Sequence, residues 1–395
     1  KVDYGSAFIL GCMTHGGNRH ADKMRKTEKN MAGSTYGTIF RIMTWGESHG
    51  KGVGVTIDGC PAGLPLCEED VQTYLDRREP GQSKFATARN EGDQVEILSG
   101  VFEGKTTGTP IAMMVRNTDQ RSKDYSAIMD VYRPGHADYC FEQKYGFRDY
   151  RGGGRSSGRE TIGRVAAGAI ASLLLKNLGI QVQAYTKAIG PYTIPADEYD
   201  FSVLKSSPLC MPHLGYSQKA EEYLRTCMEN QDSAGGIIEC QIAGLPAGIG
   251  EPVFDKLDAL LAHAVLSIGA VKGFEIGDGF EAARSNGSTN NDAFCLKDGQ
   301  ITKKTNHSGG TLVGMSDGST VIFRAAIKPT PSISSLQQTI NSSMEEVDIS
   351  VKGRHDPIIV PRAVVVVESM AALTTVDLLL RNMSASMDHL LRIYR

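Results

Sequence analysis

What is missing from this chain narrows its function before anything present is read. No apolar run approaches the roughly 20 residues that a spanning helix needs, so no membrane partner is expected. Neither charge dominates: 42 Lys and Arg stand against 45 Asp and Glu, a net of −3, which speaks against a general nucleic-acid binder. Aromatic residues are sparse at 7%, with one Trp. The most basic segment, Arg77 to Arg89, carries Phe85 as its single ring, too few for a platform that stacks single-stranded bases. The eight cysteines form no CxxC pair and no His/Cys ligand spacing. Neither a metal site nor a disulfide framework is therefore expected, and a reducing, cytoplasmic setting fits. Neither a GxGxxG fingerprint nor a GxxxxGK[ST] loop occurs.

Glycine is plentiful, with 44 residues against a usual ~7%. The glycines sit among apolar residues, which points to tight turns and close backbone approaches. Residues 1–35 read as an N-terminal extension, expected to be flexible: an apolar patch, Ala7-Phe-Ile-Leu10, then a basic polar run from Arg19 to Lys29. The alternative is a remnant of an organelle-targeting segment, with a plastid or other organelle as the location. Residues 36–395 read as one α+β domain without repeats or linkers. Strands are expected at 38–43, 53–57, 95–98, 111–115, 182–186, 236–243, 320–327 and 363–367. Helices are expected at 68–78, from 157, at 251–264 and at 368–391, with 191–236 rich in loops.

The stretch from 133 to 164 organises the chemistry. Arg133-Pro-Gly-His136-Ala-Asp138 is a constrained turn bearing an imidazole. Gly152-Gly-Gly-Arg155-Ser156-Ser157-Gly-Arg159-Glu160 places three glycines and two guanidinium groups at a helix start. Ser157 and Glu160 stand at capping-box spacing, and Lys176 and Gly179 suit the helix end. Free backbone N–H groups, the helix dipole and the arginines favour an anionic ligand. A well-capped helix with solvated arginines would show the same residues. Three further charged loops lie between expected elements: 44–50 with His49, 77–89 with Arg78, Lys84 and Arg89, and 352–357 with Arg354 and Asp356. The structural alternatives are a surface histidine at 49, a turn histidine at 136 satisfied by Asp138, and a surface Arg354–Asp356 pair. Lys328-Pro-Thr-Pro-Ser332 ends a strand with donors and stiff prolines, suited to a cofactor's phosphate or ring edge or simply to a strand exit. These features alone describe an anion-binding α+β enzyme whose partner is a compact polyanionic small molecule.

The motifs then carry a resemblance to the chorismate synthase family, running from about Ser34 to the C-terminus. It rests on Gly46-Glu-Ser-His-Gly50 leading into Asp58-Gly-Cys-Pro-Ala-Gly-Leu-Pro65, on the 133–138 and 152–161 motifs, and on Val271-Lys-Gly-Phe-Glu-Ile-Gly277. It continues through Asn306-His-Ser-Gly-Gly310, Lys328-Pro-Thr-Pro-Ser332 and Gly353-Arg-His-Asp-Pro357. The resemblance implies a β-α-β sandwich of antiparallel sheets enclosing helices, assembled as a homotetramer. It implies a 1,4-anti elimination of phosphate from 5-enolpyruvylshikimate 3-phosphate to give chorismate, with reduced FMN. NADPH is the reductant where a member of the family also reduces its own flavin.

Carried over residue by residue, His49 matches the histidine that protonates the departing phosphate. His136 matches the one that interacts with the reduced flavin, and Asp356 the aspartate that helps the flavin N5 accept the C6 proton. Arg78, Lys84, Arg89 and Arg159 fall at substrate-binding positions. Arg155, Ser156, Ser157, Gly269, Ala270, Gly314, Lys328, Ser332 and Arg354 fall at flavin-contacting ones. The family pattern is broken at Lys84, usually arginine, and at Gly158, Gly269 and Val313, the last in place of a glycine. A non-catalytic anion-binding protein of the same fold is the alternative; intact His49, His136 and Asp356 speak against it.

Overall fold

The computed structural model describes residues 33–79, 92–118, 129–351 and 356–395. The chain divides into two units, Lys1–Gly33 and Ser34–Arg395, and the second is the one with described structure. Lys84, Arg89, Arg354 and nearly all of the N-terminal extension lie outside the described residues.

Alternating apolar residues build two antiparallel five-stranded sheets. The first contains β1 (Thr35–Tyr36), β2 (Arg41–Gly46), β3 (Gly52–Asp58), β4 (Val95–Ile97) and β5 (Ile111–Arg116), in the order β1-β2-β3-β5-β4. Val53, Val55 and Ile57 of β3 and Ile111, Met113 and Val115 of β5 are buried at period two. The second contains β6 (Gln181–Ile189), β7 (Tyr192–Thr193), β8 (Gly236–Ala243), β9 (Val271–Ile276) and β10 (Val321–Ile327), in the order β9-β10-β8-β6-β7.

Helices pack on both sheets, and among the described residues a four-residue turn of helix, Gly287–Asn290, stands apart from the seven longer ones. In chain order they are α1 (Glu68–Arg78), α2 (Asp138–Tyr145), α3 (Thr161–Asn177), α4 (Leu214–Glu229), α5 (Leu257–Leu266), α6 (Val360–Asn382) and α7 (Met387–Tyr394). α3 packs on β2, β3 and β5, α6 packs on β6 and β8, and the two helices pack on each other. Small residues make this approach possible. A β-carbon on Gly163 would lie 2.9 Å from the Gly54 carbonyl oxygen, and one on Gly168 would lie 2.2 Å from Cβ of Ser369. Each large apolar side chain buried in these layers contributes about 1.5–3 kcal/mol.

Three expectations fail. The valine run at 363–367 is not a strand. It forms early turns of the 23-residue α6, where Val364 to Val367 are all buried, so packing on every side outweighs β-branched preference. That helix is long and apolar enough to cross a membrane by composition, but it is almost wholly buried within the chain. The 191–236 region contains α4, whose His213 side chain accepts from the Tyr216 N–H as its N-cap. The helix expected from Glu251 begins only at Leu257, because Val253 takes a left-handed φ of 77°.

Buried carboxylates fasten the layers. Asp377 of α6 accepts from the backbone N–H groups of Thr38, Ile39 and Phe40 at 3.0, 2.7 and 3.0 Å. Glu368, also on α6, receives a bidentate Arg77 at 2.6 and 3.0 Å and the Ala184 N–H at 3.0 Å.

Candidate active site

The His49 loop is fixed at both ends. Trp45, near the end of β2, lies over Gly54 of β3 so closely that a β-carbon there would sit 2.3 Å from its Cζ2. The turn then runs Glu47-Ser48-His49-Gly50, closed by the Gly50 N–H on the Glu47 carbonyl at 3.1 Å. Asn117, the first residue after β5, donates from Nδ2 to the carbonyls of Glu47 and Gly50, both at 2.9 Å. The His49 Nδ1 lies 3.1 Å from Ser48 Oγ. His49 is half-buried, and the backbone of Gly152 presses on its ring. With φ +86° and a β-carbon position 2.6 Å from Cε1, no side chain fits at residue 152.

His136 is held on the opposite loop. Its Nδ1 is 2.9 Å from the Pro134 carbonyl and its Nε2 is 2.9 Å from Ser332 Oγ. A carbonyl only accepts, so Nδ1 carries the proton and Nε2 accepts from the serine hydroxyl in the neutral ring. Burial and then the Arg133 charge hold this imidazole below its ordinary value, with Lys328 adding to the effect. Asp138 does not satisfy His136. It accepts from Arg133 through Nε and Nη2 at 2.8 and 2.7 Å, and from Arg148 at 3.0 Å. Burial pushes this carboxyl up, but the Arg133 hydrogen bonds and charge outweigh it and hold it low. Arg133 also reaches the Gly152 carbonyl at 3.5 Å, joining the His136 turn to the glycine that backs His49.

The triple-glycine segment departs from the expected capping box. A single 3-10 turn, Gly154–Ser156, precedes an extended Ser157, and a second, Gly158–Glu160, leads into α3 at Thr161. Ser157 does cap, accepting from the Arg159 N–H at 3.3 Å. The Glu160 carboxylate, however, is taken by Thr44 Oγ1 at 2.9 Å and Arg164 Nε at 2.8 Å, so it is not available for the reciprocal bond. At the other end Gly179 closes α3 as expected. Its N–H and that of Ile180 bond the Lys176 and Leu175 carbonyls, with φ +75° at the glycine.

Three of the arginines bind the scaffold. Arg155 donates to the Gly46 carbonyl at 3.2 Å and to the Thr44 carbonyl and hydroxyl at 3.0 and 2.7 Å. It thereby ties the glycine turn to the strand that carries His49. Arg78 is 2% exposed. Its donors go to Thr161 Oγ1 at 3.0 Å, Asp93 Oδ2 at 2.6 Å and the Gly158 carbonyl at 3.1 Å. Burial, with the Arg362 charge adding, pulls it down to about 10, still charged at neutral pH. Arg159 is likewise buried, donating to Asn117 Oδ1 at 2.8 Å and Asp93 Oδ1 at 3.1 Å. Arg78, expected at a substrate-binding position, is therefore a buried strut: desolvation and three fixed partners leave it shaping the helix start.

Asp356 joins the same network. Arg362 donates to it at 2.6 Å and, through Nε, to the Arg78 carbonyl at 3.1 Å. Asp356 thus pairs with Arg362, while its sequence-based partner Arg354 lies outside the described residues. Asp93, Asn117 and Arg362 carry no motif that would single them out; each is a lone polar residue at the edge of an element.

On the His136 side, Lys328 donates to the Gly135 carbonyl at 3.0 Å and a β-carbon on Gly135 would lie 2.8 Å from Pro331. The turn and the Lys328–Ser332 exit are therefore docked together. Ala270, left-handed at φ +72°, accepts from the Lys328 N–H at 2.9 Å. Gly269 is exposed with open space beside it, and Gly154, half-buried, also has open space at its β-carbon position. Thr330 Oγ1 is buried with no hydrogen-bond partner among the described residues. Ser156 Oγ bonds the Gly153 carbonyl at 2.6 Å. Gly314 is not brought to this cluster. It packs on Lys256 at the start of α5, whereas Gly269 follows the far end of that 10-residue helix, about 15 Å away.

A cavity of about 250 Å³ lies between these segments, lined by Glu47, Ala137, Asp138, Gly152, Gly153 and Arg155 among others; His49, His136 and Asp356 are not in its lining, although Glu47 and Ala137 are chain neighbours of the two histidine positions. A larger groove of about 520 Å³, between Pro61–Pro65 and the end of α6, is apolar and contains none of the candidate residues. Two fixed imidazoles beside a network of arginines can deliver protons to, and neutralise, a polyanion.

Comparison with known proteins agrees with this chemistry. The model of the family described as chorismate synthase matches residues 40–380. The chain is 65% identical over 365 residues to the chorismate synthase of Agathobacter rectalis, covering 92% of this chain and 100% of that one. It is 67% identical over 366 residues to that of Lachnoclostridium phytofermentans, with the same coverage. It is 53% identical over 355 residues to that of Methanosarcina mazei, covering 89% and 97%. A crystal structure of a chorismate synthase superposes with a TM-score of 0.71 at 31% identity, covering 90% of this chain and 96% of that one.

Proposed function

The chain belongs to the chorismate synthase family and is a lyase of the shikimate pathway, and from this we propose that it converts 5-enolpyruvylshikimate 3-phosphate to chorismate and phosphate with reduced FMN bound. The observation that carries the proposal is the unbroken run of contacts from His136 through Arg133 and Gly152 to His49, and from the His49 turn through Asn117, Arg159, Asp93, Arg78 and Arg362 to Asp356.

In the 1,4-anti elimination the C3–O bond to phosphate breaks, a proton leaves C6, and the electron pair left at C6 becomes part of the new conjugated diene. His49, fixed by Ser48 and Gly152, delivers a proton to the departing phosphate. The expected substrate contacts Lys84 and Arg89 and the expected flavin contact Arg354 lie outside the described residues. Arg78 and Arg159, held by Asp93, brace the start of α3.

The residues at 269–270 and 328–332 fit a flavin. Lys328 offers a cation, the Thr330 hydroxyl lacks a partner among the described residues, and the backbone at Gly269 is open. His136 and Ser332 would hold the ring edge, with Nδ1–H of His136 anchored on Pro134. When bound, reduced FMN supplies electron density to the reacting ring with no net redox change. The contact order of sheet, helix, helix and sheet supports a β-α-β sandwich, and a homotetramer in the cytoplasm is the assembly and location proposed.

Anaerobic incubation of the purified chain with dithionite-reduced FMN and substrate tests the proposal. Equal amounts of chorismate and phosphate are expected, and no phosphate release would overturn it. Aerobic turnover with NADPH and FMN, without an added reductase, tests built-in flavin reduction.

A further inference from the structure

We infer that Asn117 is a positioning residue that couples the His49 turn to the Arg159 guanidinium, so that the proton donor and the cationic network are set by one side chain. The inference rests on the reading of His49 as a proton donor.

The orientation of the amide is fixed by its neighbours. The carbonyl oxygens of Glu47 and Gly50 can only accept, at 2.9 Å each, so both must face Nδ2. Arg159 Nε can only donate, at 2.8 Å, so it must face Oδ1. The backbone N–H of Asn117 adds a fourth bond, to the Lys51 carbonyl at 3.1 Å. The two carbonyls lie on either side of Ser48 and His49 in the chain, so the amide clamps the turn from both ends. Arg159 in turn shares the Asp93 carboxylate with Arg78. Asn117 is therefore the one described side chain that bonds both the His49 turn and this arginine network directly.

No other side chain of this length offers both an NH2 for the two carbonyls and an acceptor for Arg159. Aspartate keeps the acceptor for Arg159 but turns a negative oxygen toward two carbonyl oxygens, so the turn must move while Arg159 stays paired. Alanine loses both links. The two variants accordingly separate the roles. Asn117→Asp is expected to lower kcat at least 10-fold with KM changed less than 2-fold. Asn117→Ala is expected to lower kcat similarly and to raise KM several-fold, because Arg159 loses an acceptor. A residue that merely ended β5 would lower the amount of folded protein in both and leave the split between kcat and KM absent.

The deciding experiment is a cycle of Asn117→Asp and His49→Ala, each alone and together, with thermal melting of all four proteins. If Asn117 acts through His49, the double variant turns over no more slowly than His49→Ala alone. Multiplied losses, or an Asn117→Asp protein with wild-type kcat, would overturn the inference. A His49→Ala protein with wild-type turnover would instead overturn the reading of His49, and the cycle distinguishes the two. Should Asn117→Asp fail to fold, Asn117→Ala, which also removes the donor to the turn, takes its place in the cycle, read on kcat, with the same expectation and the same contrary result.

Discussion

A β-carbon on Gly152 would lie 2.6 Å from Cε1 and 2.7 Å from Nδ1 of His49. The glycine backbone is thus the wall against which the imidazole rests, and its φ of +86° is the conformation that glycine adopts without cost. Gly152→Ala is expected to cost about 1–2 kcal/mol of stability through the left-handed backbone. It is also expected to displace His49 and lower kcat more than 10-fold. Urea unfolding and steady-state kinetics on one preparation check both. Unchanged kcat would show that the ring is placed by other contacts.

Asp93 carries Arg78 on one oxygen at 2.6 Å and Arg159 on the other at 3.1 Å. All three side chains are buried. Burial pushes the Asp93 carboxyl up, with the Arg78 and Arg362 charges only partly opposing it. Removing its charge leaves two buried cations facing each other. Asp93→Asn is expected to lose about 3–5 kcal/mol, the usual cost of breaking a buried pair from one side. Chemical denaturation of the variant measures it, and a loss below about 1 kcal/mol would show that water or another carboxylate serves the arginines.

His136 titrates below its ordinary value of 6.5, chiefly through burial and secondarily through Arg133. The folded chain therefore binds its proton less readily than the unfolded chain does. The stability this contributes is fully present above pH 6.5 and is lost as the pH falls from there toward the lowered folded value. The stability of His136→Gln should lack this decline. Stability measured across that range in both proteins checks the sign, and parallel profiles would place the titration elsewhere.

The sheets and the site were unequally legible in the sequence. Strand 236–243 and helix 68–78 were readable to the residue because period-two and helical spacing there agree with their burial. The helix over 360–382 was not, since four successive valines favour a strand until packing on all sides makes them helical. Lys328 docks beside Gly135, so two of the motifs do meet, while His49 and His136 stand on separate loops linked through Arg133 and Gly152. The roles of Arg155 and Arg78 were not readable, because a guanidinium bound to backbone carbonyls or to a distant carboxylate is spelled like one that binds a ligand. Asp93 and Asn117 gave no local signal at all: their importance lies in partners 15 and 66, and 42 and 70, residues away.

The measurement that tests the central claim most directly is His49→Ala assayed anaerobically with reduced FMN, paired with titration of FMN binding to the same protein. A proton donor that does not hold the cofactor predicts turnover at least 100-fold slower with FMN affinity within about 2-fold of the unaltered chain, on the scale of general acid catalysis. Turnover equal to the unaltered protein, or equal falls in turnover and FMN affinity, would contradict the account.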